Sequence, residues 1–269
     1  MGLLTGKRGI IMGVANERSI ATAVARLMHK EGAELGFSYL PDTGEKNRNE
    51  QRVRDVTKDL KPLLIASCDV AQDSDIQRFF ALVQETMGKI DFVIHSIAFA
   101  PTEDLKCPTH QASRSGFATA MDISVYSFLA TARYAAPIMS QDGTGSILAM
   151  TYFGGEKVMP GYNLMGVAKA ALDTAVKYTA FELGAQKIRV NAISAGPVKT
   201  LAASAVGDFK KMLTLYETSS PLRSNITAED VGAAAAFLAS DYGRMTTGEI
   251  LHVDGGYHIM GVSGGSEVK

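Results

Sequence analysis

The stretch GIIMGVANERSIATAVARLM, residues Gly9–Met28, decides the fold. It opens with a short apolar run, and from Ile20 onward apolar side chains recur at intervals of three and four residues. The first pattern predicts a buried strand and the second predicts one face of an α-helix. Gly13 lies between them. A strand, a glycine turn and a helix in this order are typical of the first unit of a dinucleotide-binding sheet.

The same alternation of short apolar runs and helix-length segments continues along the chain. The predicted strands are Gly9–Met12, Leu35–Tyr39, Leu63–Cys68, Phe92–His95, Ser146–Met150, Arg189–Ile193 and Ile250–Val253. The later predicted helices are Asp73–Met87, Phe117–Met139, Tyr162–Gly184 and Ala228–Ala239. Because parallel strands need crossovers of this length, we expect an α/β fold of Rossmann type, with a doubly wound, seven-stranded parallel sheet.

One domain accommodates all seven predicted strands. Single-sheet α/β domains reach about 250 residues, and no low-complexity tract or proline-rich linker divides this chain of 269 residues. We predict a single domain over residues 1–260, with an insertion at about 197–221 after the sixth strand and a disordered tail over 261–269. An insertion of that length in a compact domain usually forms a lid or a binding element.

The composition excludes several classes of partner. Lys and Arg number 27 against 28 Asp and Glu, so we expect neither nucleic acid nor an anionic membrane as a partner. No apolar run reaches about 18 residues, and the first residues lack a secretory signal pattern. The two cysteines and five histidines lack the spacing of metal ligands. We therefore expect a cytoplasmic protein with reduced thiols and no bound metal.

The loop after the first strand is a candidate phosphate site. Gly13 allows a sharp turn and a close approach to a pyrophosphate, and the N-terminus of the following helix favours an anion. Ser19 precedes Ile20 near the helix start, where its hydroxyl can cap the backbone or donate to phosphate. Only the first glycine of G-x-G-x-x-G is present, so a capped loop without a ligand is an alternative.

Residues at the ends of the second and third strands are candidates for binding the adenosine half of a dinucleotide. Leu40 follows the second strand without an adjacent basic residue, and the nearest are Lys46 and Arg48. This arrangement favours NADH over NADPH, because a 2′-phosphate requires a cationic partner. After the third strand, Asp69 with Val70 can accept a hydrogen bond from the adenine amino group. A role for Asp69 in a turn or a helix cap is equally compatible with the sequence.

Tyr162 and Lys169 form the candidate catalytic pair. Seven residues of α-helix turn through about 700°, so both side chains project from one face. The pair follows the carboxyl end of the fifth strand. Ligands of open α/β sheets bind at that end. The location therefore favours a functional pair over a coincidental spacing on a surface helix.

Several motifs together carry a family resemblance. They are Gly13 with Ser19-Ile20-Ala21, His95-Ser96-Ile97-Ala98 in place of N-N-A-G, Y-x6-K at Tyr162 and Lys169, Ala149 at the position of a catalytic serine, and Tyr152 ten residues before Tyr162. The agreement extends to Ile193–Ser204 and Val253–Gly256. With this combination, over about residues 3–260, the chain resembles the enoyl-acyl carrier protein reductase branch of the short-chain dehydrogenase/reductase superfamily.

The resemblance implies NADH-dependent reduction of the trans-2 double bond of an enoyl-acyl carrier protein thioester, by a homotetramer. It implies that Tyr162 donates to the thioester oxygen, that Lys169 contacts the nicotinamide ribose, and that Tyr152 borders the same pocket. Ala100, Tyr152 and Tyr162 are the implied substrate contacts. The implied cofactor contacts are Gly13, Ser19, Ile20, Leu40, Asp69, Val70, Ser96, Ile97, Ala98, Lys169, Val198, Thr200, Leu201 and Ala202. Ala98 replaces a glycine common in the family and is expected to narrow the pocket near the nicotinamide.

The insertion suggests further binding roles. The stretch Leu201–Leu215 is apolar enough to fold over a fatty chain as a helical lid, although an ordinary surface helix also fits. Lys210 and Lys211 lie on it, and a basic pair at the acyl entrance would attract an acidic acyl carrier protein. A solvated helix face with no role in binding is the alternative.

Two other functions compete with enoyl reduction. Alcohol–ketone chemistry in the superfamily uses a Ser–Tyr–Lys relay, and Ala149 leaves that relay without its serine unless Thr151 substitutes. A non-catalytic dinucleotide-binding sensor would not require Tyr152, Tyr162 and Lys169 together.

Overall fold

The computed structural model describes residues 2–44, 47–139, 142–200 and 209–261. Seven parallel strands form one sheet in the order β3-β2-β1-β4-β5-β6-β7. They are β1 (Arg8–Met12), β2 (Glu34–Tyr39), β3 (Leu64–Ser67), β4 (Phe92–His95), β5 (Ser146–Thr151), β6 (Arg189–Ala195) and β7 (Ile250–Val253). The predicted strands are confirmed, with ends that differ by two residues at most.

Helices connect the strands and cover the sheet. They are α1 (Ile20–Lys30), α2 (Arg48–Thr57), α3 (Asp73–Met87), α4 (Thr102–Lys106), α5 (Arg114–Met121), α6 (Ser127–Ala135), α7 (Asn163–Gly184), α8 (Phe209–Ser219) and α9 (Ala228–Ala239). The sequence analysis missed α2 and α4. The single helix predicted over Phe117–Met139 is wrong in detail, because a π-helical turn at Asp122–Tyr126 joins α5 to α6.

Each face of the sheet has its own apolar core. Ile10 and Val93 point to the face that packs against α3, α6 and α7. Their neighbours Ile11 and Ile94 point to the opposite face, which packs against α1 and α9. Strands covered on both sides need apolar residues at consecutive positions, which explains the continuous apolar runs in the sequence. The doubly wound Rossmann-type architecture is confirmed.

The strand order reverses between β1 and β4. β1 pairs with β2 on one side and with β4 on the other, and Met12 lies beside His95. His95 in turn lies beside Ala149 of β5. Open α/β sheets bind ligands in the crevice at such a reversal, outside the carboxyl ends of the strands. The loops that follow β1, β4 and β5 meet at this edge.

Two strands close the sheet at its edges, β3 on one side and β7 on the other. Both are half-buried, whereas every residue of β6 is buried between β5 and β7. Within the predicted insertion, α8 is part of the described structure, and residues 201–208 lie outside it. The tail predicted to be disordered also lies almost entirely outside the described residues. No helix in the described ranges has the length and apolarity needed to cross a membrane.

Candidate active site

Gly13 makes the tight turn at the end of β1. Its φ is +99°, in the region that favours glycine. A Cβ atom at this position would lie 2.1 Å from the main-chain oxygen of Ser96, which continues from β4. The glycine therefore allows the loops after β1 and β4 to touch.

The hydroxyl of Ser19 holds the loop rather than capping the helix. It donates to the Asn16 carbonyl over 2.6 Å, and the buried Thr22 hydroxyl donates to the same oxygen over 2.7 Å. In the described structure the Ser19 hydroxyl accepts no hydrogen bond from the first N–H groups of α1, so the predicted capping role is wrong. The N-terminus of α1 remains available to an anion. Sequence reasoning missed Asn16 and Thr22, because only the folded loop brings the two hydroxyls onto one carbonyl.

The adenosine side is organised by contacts between the end of β2 and α2. Leu40 is 57% exposed, and its carbonyl accepts from the Asn49 side chain over 3.0 Å. The Asp42 carboxylate accepts from the Asn49 main-chain N–H over 2.8 Å and so holds the start of α2. Of the two nearby basic residues, Arg48 begins α2, and Lys46 lies outside the described residues.

Asp69 forms a turn after β3. One carboxylate oxygen accepts from the Ala71 N–H over 3.0 Å, and Val70 is buried between them. The turn-forming role is therefore confirmed. An adenine contact of Asp69 stays a prediction.

The segment Ser96–Ala100 runs from β4 along the crevice. The Ser96 N–H donates to the Met12 carbonyl over 3.1 Å, which extends the contact between β4 and β1. Ile97 packs against the core, Ala98 is exposed, and Ala100 is buried. Ala98 is thus open to solvent, whereas Ile97 and Ala100 pack into the apolar core, and their predicted contacts with cofactor and substrate stay predictions. The intervening Phe99 is 53% exposed, although the sequence analysis gave it no role.

The two candidate tyrosines lie against each other. Tyr152 follows β5, Tyr162 precedes α7, and their ring centroids are 4.7 Å apart in an edge-to-face arrangement. A Cβ atom on Gly154 would lie 2.4 Å from the Tyr162 ring. A Cβ on Gly155 would lie 2.8 Å from the Ala170 nitrogen of α7. The Gly154-Gly155 pair therefore lets the loop after β5 pack on α7, a role that sequence reasoning missed.

Both phenols keep their protons at physiological pH. Burial raises the pKa of Tyr152 to about 12. Burial, and then the neighbouring Tyr152 and Asp173, raise the pKa of Tyr162 still further. The Tyr152 hydroxyl donates to the Met212 sulfur over 3.2 Å and accepts from the Tyr216 hydroxyl over 3.4 Å. Tyr162 therefore has a proton that it can donate to an anionic oxygen, whereas the Tyr152 proton is already directed at Met212.

Lys169 is buried at the end of β5. Its Nζ donates to the Met150 carbonyl over 2.7 Å, which places the lysine on the same strand end as Tyr152. Burial lowers the pKa of Lys169 to about 8, while Asp173 opposes that shift. Burial raises the pKa of Asp173 to about 6, against the lowering effects of Thr151 and Lys169. Sequence reasoning missed Asp173, although its position four residues after Lys169 on one helix was a usable signal.

The C-terminal part of the predicted cofactor stretch is only partly described. Val198 and Thr200 are half-buried after β6, and the Thr200 N–H donates to the Val198 carbonyl over 2.8 Å. The predicted contacts Leu201 and Ala202 lie outside the described residues.

Comparison with known proteins decides the family. The sequence profile described as "Enoyl-(Acyl carrier protein) reductase" matches residues 13–258. The chain belongs to the enoyl-acyl carrier protein reductase family. It is 48% identical to the enoyl-[acyl-carrier-protein] reductase [NADH] of Aquifex aeolicus, over 99% of this chain and 97% of that protein. It is 48% identical to the Bacillus cereus enzyme of the same description, over 97% of this chain and all of that protein.

Solved structures of family members share the whole architecture. The crystal structure of the Aquifex aeolicus reductase superposes with a TM-score of 0.91, covering 97% of this chain and 100% of that one. The Bacillus cereus reductase, solved with NADP+ and indole naphthyridinone, gives 0.92 at 48% identity and the same coverage. The Anaplasma phagocytophilum reductase, solved with NAD, gives 0.90 at 46% identity and covers 97% of each chain.

The residue at the position of the superfamily's catalytic serine is also consistent with the reductase chemistry of the family. Ala149 is fully buried in β5 and brings no hydroxyl to the site. The Thr151 hydroxyl, which was the alternative, is buried next to Asp173. Nothing at these two positions completes a Ser–Tyr–Lys relay, so the geometry disfavours alcohol–ketone chemistry.

His95 is neutral in this member of the family. The hydroxyl of Ser127 donates to the Ile123 carbonyl over 2.6 Å, so it accepts from the Nε2 of His95 over 2.8 Å. Burial, and then the charge of Lys169, lower the pKa of His95 to about 3. The ring therefore cannot act as an acid near neutral pH. The described ranges contain no group of three or more His, Cys, Asp or Glu side chains arranged to bind a metal.

Proposed function

We propose that the chain is an NADH-dependent enoyl-acyl carrier protein reductase, in which Tyr162 is the hydrogen-bond donor, Lys169 the cationic partner and Tyr152 the third residue of the pocket. The observation that carries the proposal is the meeting of these side chains at the end of β5. The Gly13 loop lies at the same edge of the sheet. The family relatives named for NADH support the choice of cofactor.

The residues present fit a dinucleotide. Gly13 turns the chain at the uncapped N-terminus of α1, where a pyrophosphate would gain backbone donors and the helix dipole. Ser96, Ile97 and Ala98 would line its course from there toward Lys169, whose ammonium would hold the ribose hydroxyls. NADH, when bound, supplies the hydride that reduces the β-carbon of the enoyl thioester.

The chain's own residues act on the charge that this reduction creates. Negative charge develops on the thioester oxygen as the substrate becomes an enolate, and a donor aimed there lowers the barrier. Tyr162 can make that hydrogen bond because its raised pKa keeps the proton on the phenol. The Lys169 ammonium lies on the same strand end and favours an anion nearby. Tyr152 packs against Tyr162 and excludes water from this face of the pocket.

The decay of NADH absorbance tests the function directly. We expect decay with crotonyl thioester and none with simple ketones. Decay with ketones alone would select the carbonyl reductase, and NADH binding without decay on either substrate would select the sensor. KM values for NADH and NADPH, measured side by side with the thioester, test the cofactor. We expect the lower value for NADH, because no cationic side chain in the described structure follows Leu40 directly.

The pH dependence of turnover should report Lys169. Its pKa of about 8 means that the ammonium is present below that pH and is lost above it. We therefore expect kcat/KM to fall as the pH rises through about 8. Tyr162→Phe should retain this falling limb, since the phenol titrates at higher pH, and Lys169→Arg should lose it, since arginine stays charged. A profile that stays flat through pH 8 in the wild type would remove Lys169 from this role.

We also propose that the enzyme is a homotetramer, because the protomer has two separate apolar surfaces. On α7, Tyr178 and Phe181 follow exposed Val167 by about three and four turns, so they share a face. Phe181 is 86% exposed. The second surface is the half-buried edge strand β7 with exposed Phe237 on the neighbouring α9. Two self-complementary surfaces generate a tetramer with three twofold axes.

Light scattering of Phe181→Glu tests the assembly. We expect dimers from this variant, since a buried carboxylate would break one surface and leave the β7 surface intact. A wild-type monomer would contradict the proposal.

The remaining proposals concern the partner and the compartment. We propose that Lys210 and Lys211, exposed on α8, attract the acidic acyl carrier protein. Lys210→Glu should then raise KM for the carrier-protein thioester and leave KM for a small pantetheine thioester unchanged. An equal effect on both substrates would favour the alternative of a solvated pair. The free thiols of Cys68 and Cys107 support a cytoplasmic location.

A further inference from the structure

Asn163 has an unusual backbone beside the candidate catalytic tyrosine. It is the first residue of α7 and directly follows Tyr162, yet its φ is +42°. Left-handed backbone is costly for residues other than glycine, and asparagine tolerates it better than most. Strained residues persist where the surrounding structure holds them, and they concentrate at functional sites. The contacts of the side chain show what holds this one.

The side-chain amide of Asn163 binds the end of α4. Its Nδ2 donates to the Leu105 carbonyl over 2.7 Å and to the Cys107 carbonyl over 3.0 Å. Both N–H groups of the amide are therefore used. The last carbonyls of a helix have no partner within it, so these bonds satisfy groups that α4 cannot satisfy itself. Since α4 packs against α7, the amide bridges two elements already in contact.

The segment fastened in this way begins at the crevice. Residues 97–101 lead from β4 into α4, and the main chain of Phe99 is bound by Ser124 through both its N–H and its carbonyl, each over 3.0 Å. Ser124 is fully buried and comes from the π-helical turn. The segment 97–107 is thus held by Ser124 near its start, by the Asp104 carboxylate, which accepts from the Ser113 N–H over 2.6 Å, in its middle, and by Asn163 at its end. Of these three anchors, Asn163 is the one joined covalently to Tyr162.

We propose that Asn163 is a positioning residue of the reductase: its amide holds segment 97–107 at a fixed distance from Tyr162 and so sets the width of the enoyl pocket. The proposal rests on the proposed function for its kinetic consequence. Its structural half, that the amide restrains α4, is independent of any substrate. The left-handed backbone follows from the same geometry, because it aims the amide at α4 while Tyr162 faces Tyr152.

Asn163→Gly tests the contribution of the side-chain amide separately from that of the backbone conformation. Glycine adopts φ of +42° without strain, so the variant removes the two hydrogen bonds and leaves the backbone conformation available. Lys187→Gly is the matched control. Lys187 is exposed after the other end of α7 and has φ of +62°, so the control relieves the same kind of backbone far from the site.

Hydrogen exchange and steady-state kinetics provide the two readouts. In the protein without ligands, we expect the amides of residues 102–107 to exchange about tenfold faster or more in Asn163→Gly, and not in Lys187→Gly. We expect KM for crotonyl thioester to rise about tenfold or more, with the dissociation constant for NADH unchanged. Asn163→Asp should show the same KM effect, because a carboxylate would face two carbonyl oxygens.

The results of these experiments distinguish the positioning role of Asn163 from the proposed reductase function. Unchanged exchange in Asn163→Gly, or an unchanged KM in both Asn163 variants, overturns the positioning role. A loss of NADH affinity as large as the rise in KM also overturns it, since the segment would then support the cofactor. If the wild type fails to reduce the thioester, the proposed function is wrong, and faster exchange at 102–107 still establishes the restraint on α4.

Discussion

Tyr162→Phe is expected to lower kcat by about 10²–10³-fold and to leave NADH binding intact. The variant removes one hydroxyl that can donate to the enolate oxygen, and it keeps the ring that packs between Tyr152 and the Gly154 loop. Because the interaction strengthens as charge develops, its loss raises the barrier rather than weakening the ground state. Steady-state kinetics with crotonyl thioester and titration with NADH measure the two quantities.

Tyr242→Phe provides the control for this prediction. Tyr242 is exposed near the end of α9, far from the catalytic edge of the sheet, and the same hydroxyl is removed there. We expect wild-type kinetics from it. Normal turnover in Tyr162→Phe, under conditions where chemistry limits the rate, would show that Tyr162 does not act in the reaction.

Gly13→Ala should weaken both the fold and the cofactor site. The new Cβ would lie 2.1 Å from the Ser96 oxygen, so the loops after β1 and β4 must separate, and the left-handed backbone adds its own cost. We expect a loss of about 2–5 kcal/mol in the free energy of unfolding, from backbone strain and overpacking together. NADH affinity should fall at least about tenfold, because the displaced loop is the proposed pyrophosphate site. Urea denaturation and NADH fluorescence measure these effects.

Gly6→Ala separates the two causes. Gly6 also has positive φ, at +79°, but a Cβ there meets nothing within 4 Å. The control should therefore lose only the cost of the backbone conformation, about 1 kcal/mol, and keep its NADH affinity. Equal losses in the two variants would mean that the contact with Ser96 is unimportant.

The sequence predicted the sheet well because its strands are covered on both faces. Runs such as Phe92–Ile94 are apolar at consecutive positions, a pattern that an amphipathic helix does not have. The polar helix α2 buries only Val53 and Thr57, so the spacing of its apolar residues was too weak a signal to predict a helix. The π-helical turn at Asp122–Tyr126 was also hidden, because one extra residue per turn barely disturbs a pattern of apolar residues.

The candidate site was predictable where it depends on spacing along one element. Tyr162 and Lys169 could be paired because a helix relates residues seven apart. The contacts of Asn163 with α4 join segments distant in sequence, and the packing of Gly154 against the Tyr162 ring depends on how the loop after β5 folds onto α7. Ser19 was ambiguous for a related reason, since a hydroxyl at a helix start has several nearby partners. Such contacts arise from tertiary packing, and the local sequence pattern does not predict them.

The edge strand β7 has a consequence for how the protein is made. Among the described residues it is the last strand in sequence and the one strand that covers the fully buried β6 on that side. A nascent chain that has emerged only as far as α9 therefore presents β6 as a bare edge with unpaired backbone N–H and C=O groups, the kind of surface that recruits other strands. Premature termination before Ile250 would leave that surface permanently open. Such truncated products should be aggregating species and substrates for chaperones, even though every residue of the catalytic edge described above has already been synthesised.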